Sequence, residues 1–340
     1  MPISFRPSGS LRWLLEKLPK IKNWDLIGAI AAEERANTVA IELKTQNLLR
    51  RASMIRVKDE DSEFFQNCEI ACNKNNTILH KKLNNLLFVN DLKLLDDVEI
   101  LQPLFDSLKP NLSSNVILDI SALPKRVFFF ALKQLFNNNS IKNIVVTYTV
   151  PERYGKPLSK NALGWMPLPS FGTESSIHTD CMLVIGVGYD HLNLLDLIKD
   201  RSPNPVRLLL PFPSKPPGSI SNWEFVRVLR EQVEFKPQDI RRVHPISTSL
   251  AFDQIRGQCL GHERKEVLLA PYGPKPISLA MALFALERER ASLPVTVAYT
   301  QPLAYSDKYS EGVEKSHDGT NLVHAYCIKL NGTILYNLSD

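Results

Sequence analysis

Two short segments of this 340-residue chain carry the residue types that anion binding needs. Asp119-Ile-Ser-Ala-Leu-Pro-Lys125-Arg126 and Ala270-Pro-Tyr-Gly-Pro-Lys275-Pro-Ile-Ser278 each follow an apolar run and open a helical pattern. A strand-to-helix turn gathers loop amides and the positive end of a helix, so a lysine and a hydroxyl added there suit a phosphate or carboxylate. Ser121, Lys125, Arg126, Tyr272, Gly273, Lys275 and Ser278 are therefore candidate ligand contacts. The competing reading is that proline and glycine simply make a tight turn, and the recurrence of the lysine in both segments favours the ligand.

A second group of candidates lies after other apolar runs. Glu33, Glu34 and Arg35 follow the first run, and Tyr189, Asp190 and His191 follow its later counterpart. Such residues could meet a ribose or base, or assist a proton transfer, although acidic residues also serve as ordinary helix N-terminal groups. Tyr148, Tyr299 and Tyr272 could stack on a base or bond phosphate oxygens, and packing against a helix explains each of them as well.

Several chemistries lack sequence support. The spacing Gly-x-x-x-x-Gly-Lys-Ser/Thr is absent, as is Gly-x-Gly-x-x-Gly, of which Gly186-Val-Gly188 is only a fragment. The seven histidines form no metal-binding spacing and no Gly-x-Ser-x-Gly elbow presents a nucleophile. No metal and no organic cofactor is expected.

The elements that must position these residues recur. Ile144 to Tyr154 (IVVTYTVPERY) matches Val295 to Tyr305 (VTVAYTQPLAY), so Tyr148, Thr149, Pro151 and Tyr154 return as Tyr299, Thr300, Pro302 and Tyr305, 151 positions on (299 minus 148). Upstream, Pro124-Lys125 returns as Pro274-Lys275 at 150, and Leu26 aligns with Leu183 at 157. Matched segments in one order with drifting offsets are what duplication and small insertions leave.

Each copy alternates short Val/Ile/Leu runs with amphipathic stretches, the pattern of strands buried on both faces and joined by crossover helices. Strands are predicted near 26–31, 53–57, 116–120 and 144–149, then near 182–187, 206–211, 267–270 and 295–300. The expected fold is α/β, two tandem Rossmann-like doubly wound parallel sheets with a C-terminal β-hairpin about Asn331-Gly332. The expected organisation is a helical arm at 1–22, a first unit at 23–150, a Pro/Gly-rich connector at 151–179 and a second unit with the hairpin at 180–340. Ligands of such sheets bind beyond the carboxyl ends of the strands, so the site is expected where the two halves meet.

Bulk properties agree with a globular protein: 44% hydrophobic and 23% charged residues. The apolar runs fall short of a membrane span, and five cysteines without a Cys-x-x-Cys pair suit a reducing cytoplasm. The net charge of +5 is scattered, with no dense basic stripe, so binding of duplex nucleic acid is not expected.

The turn at Asp119 to Arg126 resembles the strand-turn-helix of CARF-type Rossmann-like sensors, which runs roughly Asp-x-Thr-Gly-Gly-Thr-Lys. Asp119, Ser121 and Lys125 match its Asp, Ser/Thr and Lys positions, while Ala122, Leu123 and Pro124 replace its glycines and threonine. The second copy keeps Gly273 and Lys275, with Leu269 at the position expected for the Asp. Two such units in one chain are also similar to SAVED sensors, a fused CARF pair. The resemblance implies a sensor of a nucleotide signal, a cyclic oligonucleotide above all, in prokaryotic antiviral defence, acting on an effector carried by another chain. Its alternatives are a metal-independent, ring-nuclease-like phosphodiesterase and a non-catalytic scaffold.

Overall fold

A computed structural model describes residues 5–18, 21–60, 62–155, 159–172, 180–214 and 218–338. The chain forms two compact units, one made of 5–161 and 302–335, the other of 162–301 and the residues from Tyr336 onward.

The first unit opens with β1 (Ser8–Ser10) and α1 (Leu11–Lys17), whose first turn is capped by Ser10 Oγ accepting from Trp13 N at 3.3 Å. There follow β2 (Trp24–Ile30), α2 (Thr38–Thr45), β3 (Leu49–Lys58), α3 (Phe65–Leu83), β4 (Leu87–Lys93), α4 (Val98–Leu108), β5 (Asn115–Asp119), α5 (Lys125–Phe136), β6 (Asn143–Thr149) and β7 (Arg153–Tyr154). The second unit holds β8 (Ser159–Pro167), β9 (Cys181–Gly186), α6 (Leu194–Arg201), β10 (Val206–Pro211), α7 (Gly218–Arg230), β11 (Ile240–Val243), α8 (Thr248–Gln258), β12 (Glu266–Pro271), α9 (Lys275–Arg290) and β13 (Val295–Tyr305). The chain then returns to the first unit through β14 (Ser310–Glu311), β15 (Val323–Leu330) and β16 (Thr333–Ile334).

The first sheet runs β1-β15-β6-β5-β2-β3-β4, with β16 on β15, and the second runs β11-β10-β9-β12-β13-β8. Five parallel strands form the body of each. Numbered within their own unit, those five lie in the order 3-2-1-4-5 in both sheets. The fold is thus two doubly wound α/β sheets of one topology, and Tyr148 on β6 and Tyr299 on β13 occupy equivalent strands. Every residue of β2, β6, β9 and β12 is buried, as continuous apolar runs covered on both faces require.

Sequence patterning overlooked the third strand of each unit, β4 and β11. Both sit at sheet edges, where polar side chains face solvent and break the apolar run: β4 carries Asn90 and Asp91, and β11 exposes Arg241 and Arg242.

Strand register also corrects one alignment. Leu118 pairs with Val146 and Leu269 with Val297, each 28 residues apart, so Ala270 and not Leu269 stands at the position of Asp119. The turn before α9 is one residue shorter than the turn before α5.

The hairpin forms about Asn331 (φ 50°) and Gly332 (φ 84°), the positive pair a two-residue turn demands. It belongs to the first unit, not the second: β15 lies antiparallel on β6, pairing His324 with Tyr148 and Cys327 with Val145. Val323, Ala325 and Cys327 enter the same core as Leu11, Leu14 and Leu18, so the N-terminal arm and the hairpin jointly complete the first unit. Period and turn chemistry specify that a hairpin exists, while its sheet is chosen by tertiary packing. Within the expected connector, β7 and β8 form, and residues 156–158 and 173–179 lie outside the described residues. No helix among the described residues is long and apolar enough to cross a membrane.

All five cysteines are unpaired. Burial pushes the Cys68 thiol up to about 11 and that of Cys72, one turn along α3, up to about 12, with neighbouring acidic groups adding to both. At pH 8 only about one Cys68 in a thousand would be thiolate. Iodoacetamide at pH 8 is therefore expected to label the folded chain slowly and the urea-unfolded chain fast; equal rates would contradict this burial.

Candidate functional site

In a 3-2-1-4-5 sheet the crevice for a ligand opens between the loops that follow the first and fourth strands, where the chain winds away in opposite directions. In the first unit these are the loops after β2 (31–37) and β5 (120–124), and in the second the loops after β9 (187–193) and β12 (272–274). The two crevices are built differently.

In the first unit the space is taken by protein. Arg35, 1% exposed, bonds Glu33 Oε2 through Nε (2.9 Å) and Nη2 (2.7 Å) and donates from Nη1 to Thr149 O at 3.2 Å. Its guanidinium carbon lies 5.7 Å from the Tyr148 ring centroid and 5.9 Å from that of Tyr154, and the two phenols bond each other at 2.7 Å. Ser310, from β14, donates to Glu33 Oε2, and Tyr309 packs edge-on to Tyr154. Burial pulls the Arg35 pKa down, but the Glu33 carboxylate and the surrounding tyrosines outweigh it and hold the charge more firmly than in water. Burial likewise drives the Tyr154 phenol upward, so it stays protonated. Asn75 of α3 fixes the loop after β2 by donating to Ala31 O at 2.8 Å.

The turn after β5 is equally engaged. Ser121 Oγ donates to Asp119 Oδ1 (2.5 Å) and accepts from Thr149 N (2.7 Å), which ties β5 to β6 inside the core. Arg126 donates to Asp96 O at 3.0 Å and pairs with Asp97 at 3.3 Å, holding α5 to the loop before α4. Lys125 begins α5 and is partly buried. Glu34, in the loop after β2, lines a groove on α2.

In the second unit Tyr272 takes the position of Ser121. Its hydroxyl donates to Thr300 Oγ1 (2.7 Å) and accepts from Thr300 N (3.2 Å), again 28 residues along, so both copies tie the fourth strand's turn to the same amide. Burial pushes the Tyr272 phenol well above its ordinary range. Rings continue from it in both directions: Tyr299 lies 5.3 Å away, Phe225 6.1 Å away, and His191 6.2 Å beyond Phe225. Ser278, fully buried, donates to Gly273 O at 3.4 Å. Lys275 is the first residue of α9, after Pro274 at φ −54° and ψ 149°, matching Pro124 before α5 at φ −54° and ψ 148°. Tyr189 remains 38% exposed beside Gly218.

The fragment Gly186-Val-Gly188 acquires a reason here. A Cβ on Gly188 would sit 2.2 Å from Tyr272 O, and one on Gly273 2.9 Å from Val187 O. The glycines let the two loops touch along their backbones. Gly188→Ala is expected to cost about 1–3 kcal/mol, because backbone cannot retreat as a side chain can. Gly257→Ala, in the last turn of α8 with nothing within 4 Å, should gain a few tenths of a kcal/mol, up to about 0.5. Thermal melts of the two variants shifting the same way would contradict this packing.

The second unit therefore gathers Tyr189, His191, Tyr272, Gly273, Lys275 and Ser278 beyond the carboxyl ends of β9 and β12, with Tyr299 of β13 reaching them through its contact with Tyr272. The first unit gathers Arg35, Ser121, Lys125 and Tyr148 at equivalent ends, with Arg35, Ser121 and Tyr148 bonded to one another's surroundings as above. Sequence reading missed Phe212, 50% exposed just past β10, its N bonded to Val243 O (2.9 Å) and Arg242 4.9 Å over its ring. An apolar residue flanked by prolines gave no signal of an exposed platform.

No family model matches the chain, and no curated protein matches it. Among solved structures it is similar to a universal stress protein from Pseudomonas aeruginosa UCBPP-PA14, at 9% identity over 83% of this chain and 94% of that one, TM-score 0.24. It is also similar to a functionally unknown protein from Pseudomonas aeruginosa PAO1, at 9% identity over 82% of this chain and 92% of that one, TM-score 0.24. Likeness at this level carries no functional argument.

Proposed function

We propose that this chain is a sensor for a nucleotide-derived anion, a cyclic oligonucleotide in the leading case, bound at the carboxyl end of the second unit's sheet. The observation that carries this reading is the setting of Lys275. It starts the 16-residue helix α9 at the topological switch point, while Tyr189 and Phe212 leave rings exposed after β9 and β10, strands paired at Leu209 and Gly186. A cation at a helix N-terminus suits phosphate, and exposed rings suit bases. The first unit, whose crevice Arg35 and its tyrosines fill, does not bind the ligand. The bound state passes to an effector on a separate chain, in the cytoplasm of a prokaryote under viral attack.

The hydrolytic alternative draws no support from Ser121 or Ser278, since both hydroxyls are buried and donate within the protein. Incubation of the chain with cyclic oligoadenylates and mixed cyclic di- and trinucleotides separates the readings. The sensor reading expects one of them retained and recovered intact. Linear product would favour the phosphodiesterase, and no retention of any would favour a scaffold.

A further inference from the structure

A groove of about 1060 Å³ lies wholly within the first unit, bounded by α1, the start and outer face of α2, and the segment 315–323. Its floor is apolar, made by Leu11, Ile41, Leu322 and Val323. On the α2 side, Glu34 has no ion-pair partner among the described residues, and Glu42 accepts one side-chain hydrogen bond, from Gln46 Nε2 at 3.2 Å. Asn37, 5% exposed on the same wall, donates through Nδ2 to Asn75 O at 3.1 Å while its Oδ1 has no partner. The other charges are already engaged. Arg12 pairs with Glu16 through Nε and is near enough to act on the Glu42 carboxylate as well, Lys315 Nζ donates to Asn321 Oδ1, and Asp318 accepts from Ser316 and Thr320.

An apolar floor beside carboxylates with spare acceptor positions fits a chain that brings apolar side chains and cationic donors together, and arginine supplies five such donors in a planar fork. We propose that this groove is a docking site for an amphipathic, arginine- or lysine-bearing peptide segment of a partner protein. The carboxylate of Glu42 is half-buried and burial raises its pKa against the opposing pull of Arg12 and Gln46, so an incoming cation would further relieve a desolvated charge. This surface is separate from the second unit's sheet and does not depend on what that sheet binds.

The test is selection of a phage-displayed random 12-residue library on the intact chain, followed by anisotropy titration of the enriched peptides as fluorescent synthetic copies. The proposal expects enriched peptides that combine arginine or lysine with spaced leucine or isoleucine. Their Kd should rise at least about tenfold on Glu42→Gln, the loss typical of one charged contact, and more on Glu42→Lys. Both variants should keep the wild-type melting temperature and wild-type retention of any nucleotide. Three results would overturn the proposal: no enrichment, enrichment without basic bias, or equal affinity for wild type and Glu42→Gln. Displacement of the peptide by spermine at micromolar concentration would also overturn it, in favour of a small-cation site.

Discussion

Replacing Arg35 with alanine is expected to destabilise the first unit by about 3–5 kcal/mol, the loss seen when one partner of a buried ion pair is removed. The expectation rests on what would be left behind. Glu33 would remain buried with Ser310 as its other donor, Thr149 O would lose an N–H, and Tyr148 and Tyr154 would face a void. Removing both charges together, as Glu33→Gln with Arg35→Met, should cost less than Arg35→Ala alone, because no uncompensated charge stays behind. Urea unfolding followed by circular dichroism measures both. An Arg35→Ala loss under about 1 kcal/mol, the scale of a surface substitution, would mean that the cluster does not hold the loop after β2, and the view of a filled first crevice would fail with it.

How far this arrangement was readable in the sequence depends on what each residue faces. Strands such as β5 and β12 are covered on both faces, so their composition announces them, and the Pro-Lys pair announces the start of the helix that follows. The duplication was readable for the same reason: Tyr148-Thr149 and Tyr299-Thr300 sit in the buried fifth strands, where substitution is costly. The filling of the first crevice was not. Arginine is ordinarily a surface residue, and nothing local to Arg35 indicates that Ser310 arrives from 277 residues away to share Glu33 with it. Nor does the sequence reveal that Ser121 and Tyr272 do one job, because the residues differ and only their register, 28 positions before Thr149 and Thr300, is common. The edge strands β4 and β11 were hidden by the charges that protect them.

The asymmetry between the two crevices yields the other large expected effect. If Lys275 meets a ligand phosphate in a partly desolvated crevice, Lys275→Ala should weaken binding by about 2–5 kcal/mol, the range for losing one partner of a buried charge contact, which is roughly 30-fold to several thousand-fold in Kd. Lys125 holds the same place in the helix α5 but borders a crevice that Arg35 already fills, so Lys125→Ala should change Kd by less than about threefold, an ordinary surface effect. Isothermal titration of wild type, Lys275→Ala and Lys125→Ala with the cyclic oligonucleotide that the intact chain retains is the most direct measurement of the central claim. A loss confined to Lys275→Ala is expected, with all three melting curves alike. Unchanged affinity in Lys275→Ala, or equal losses in both variants, would contradict it.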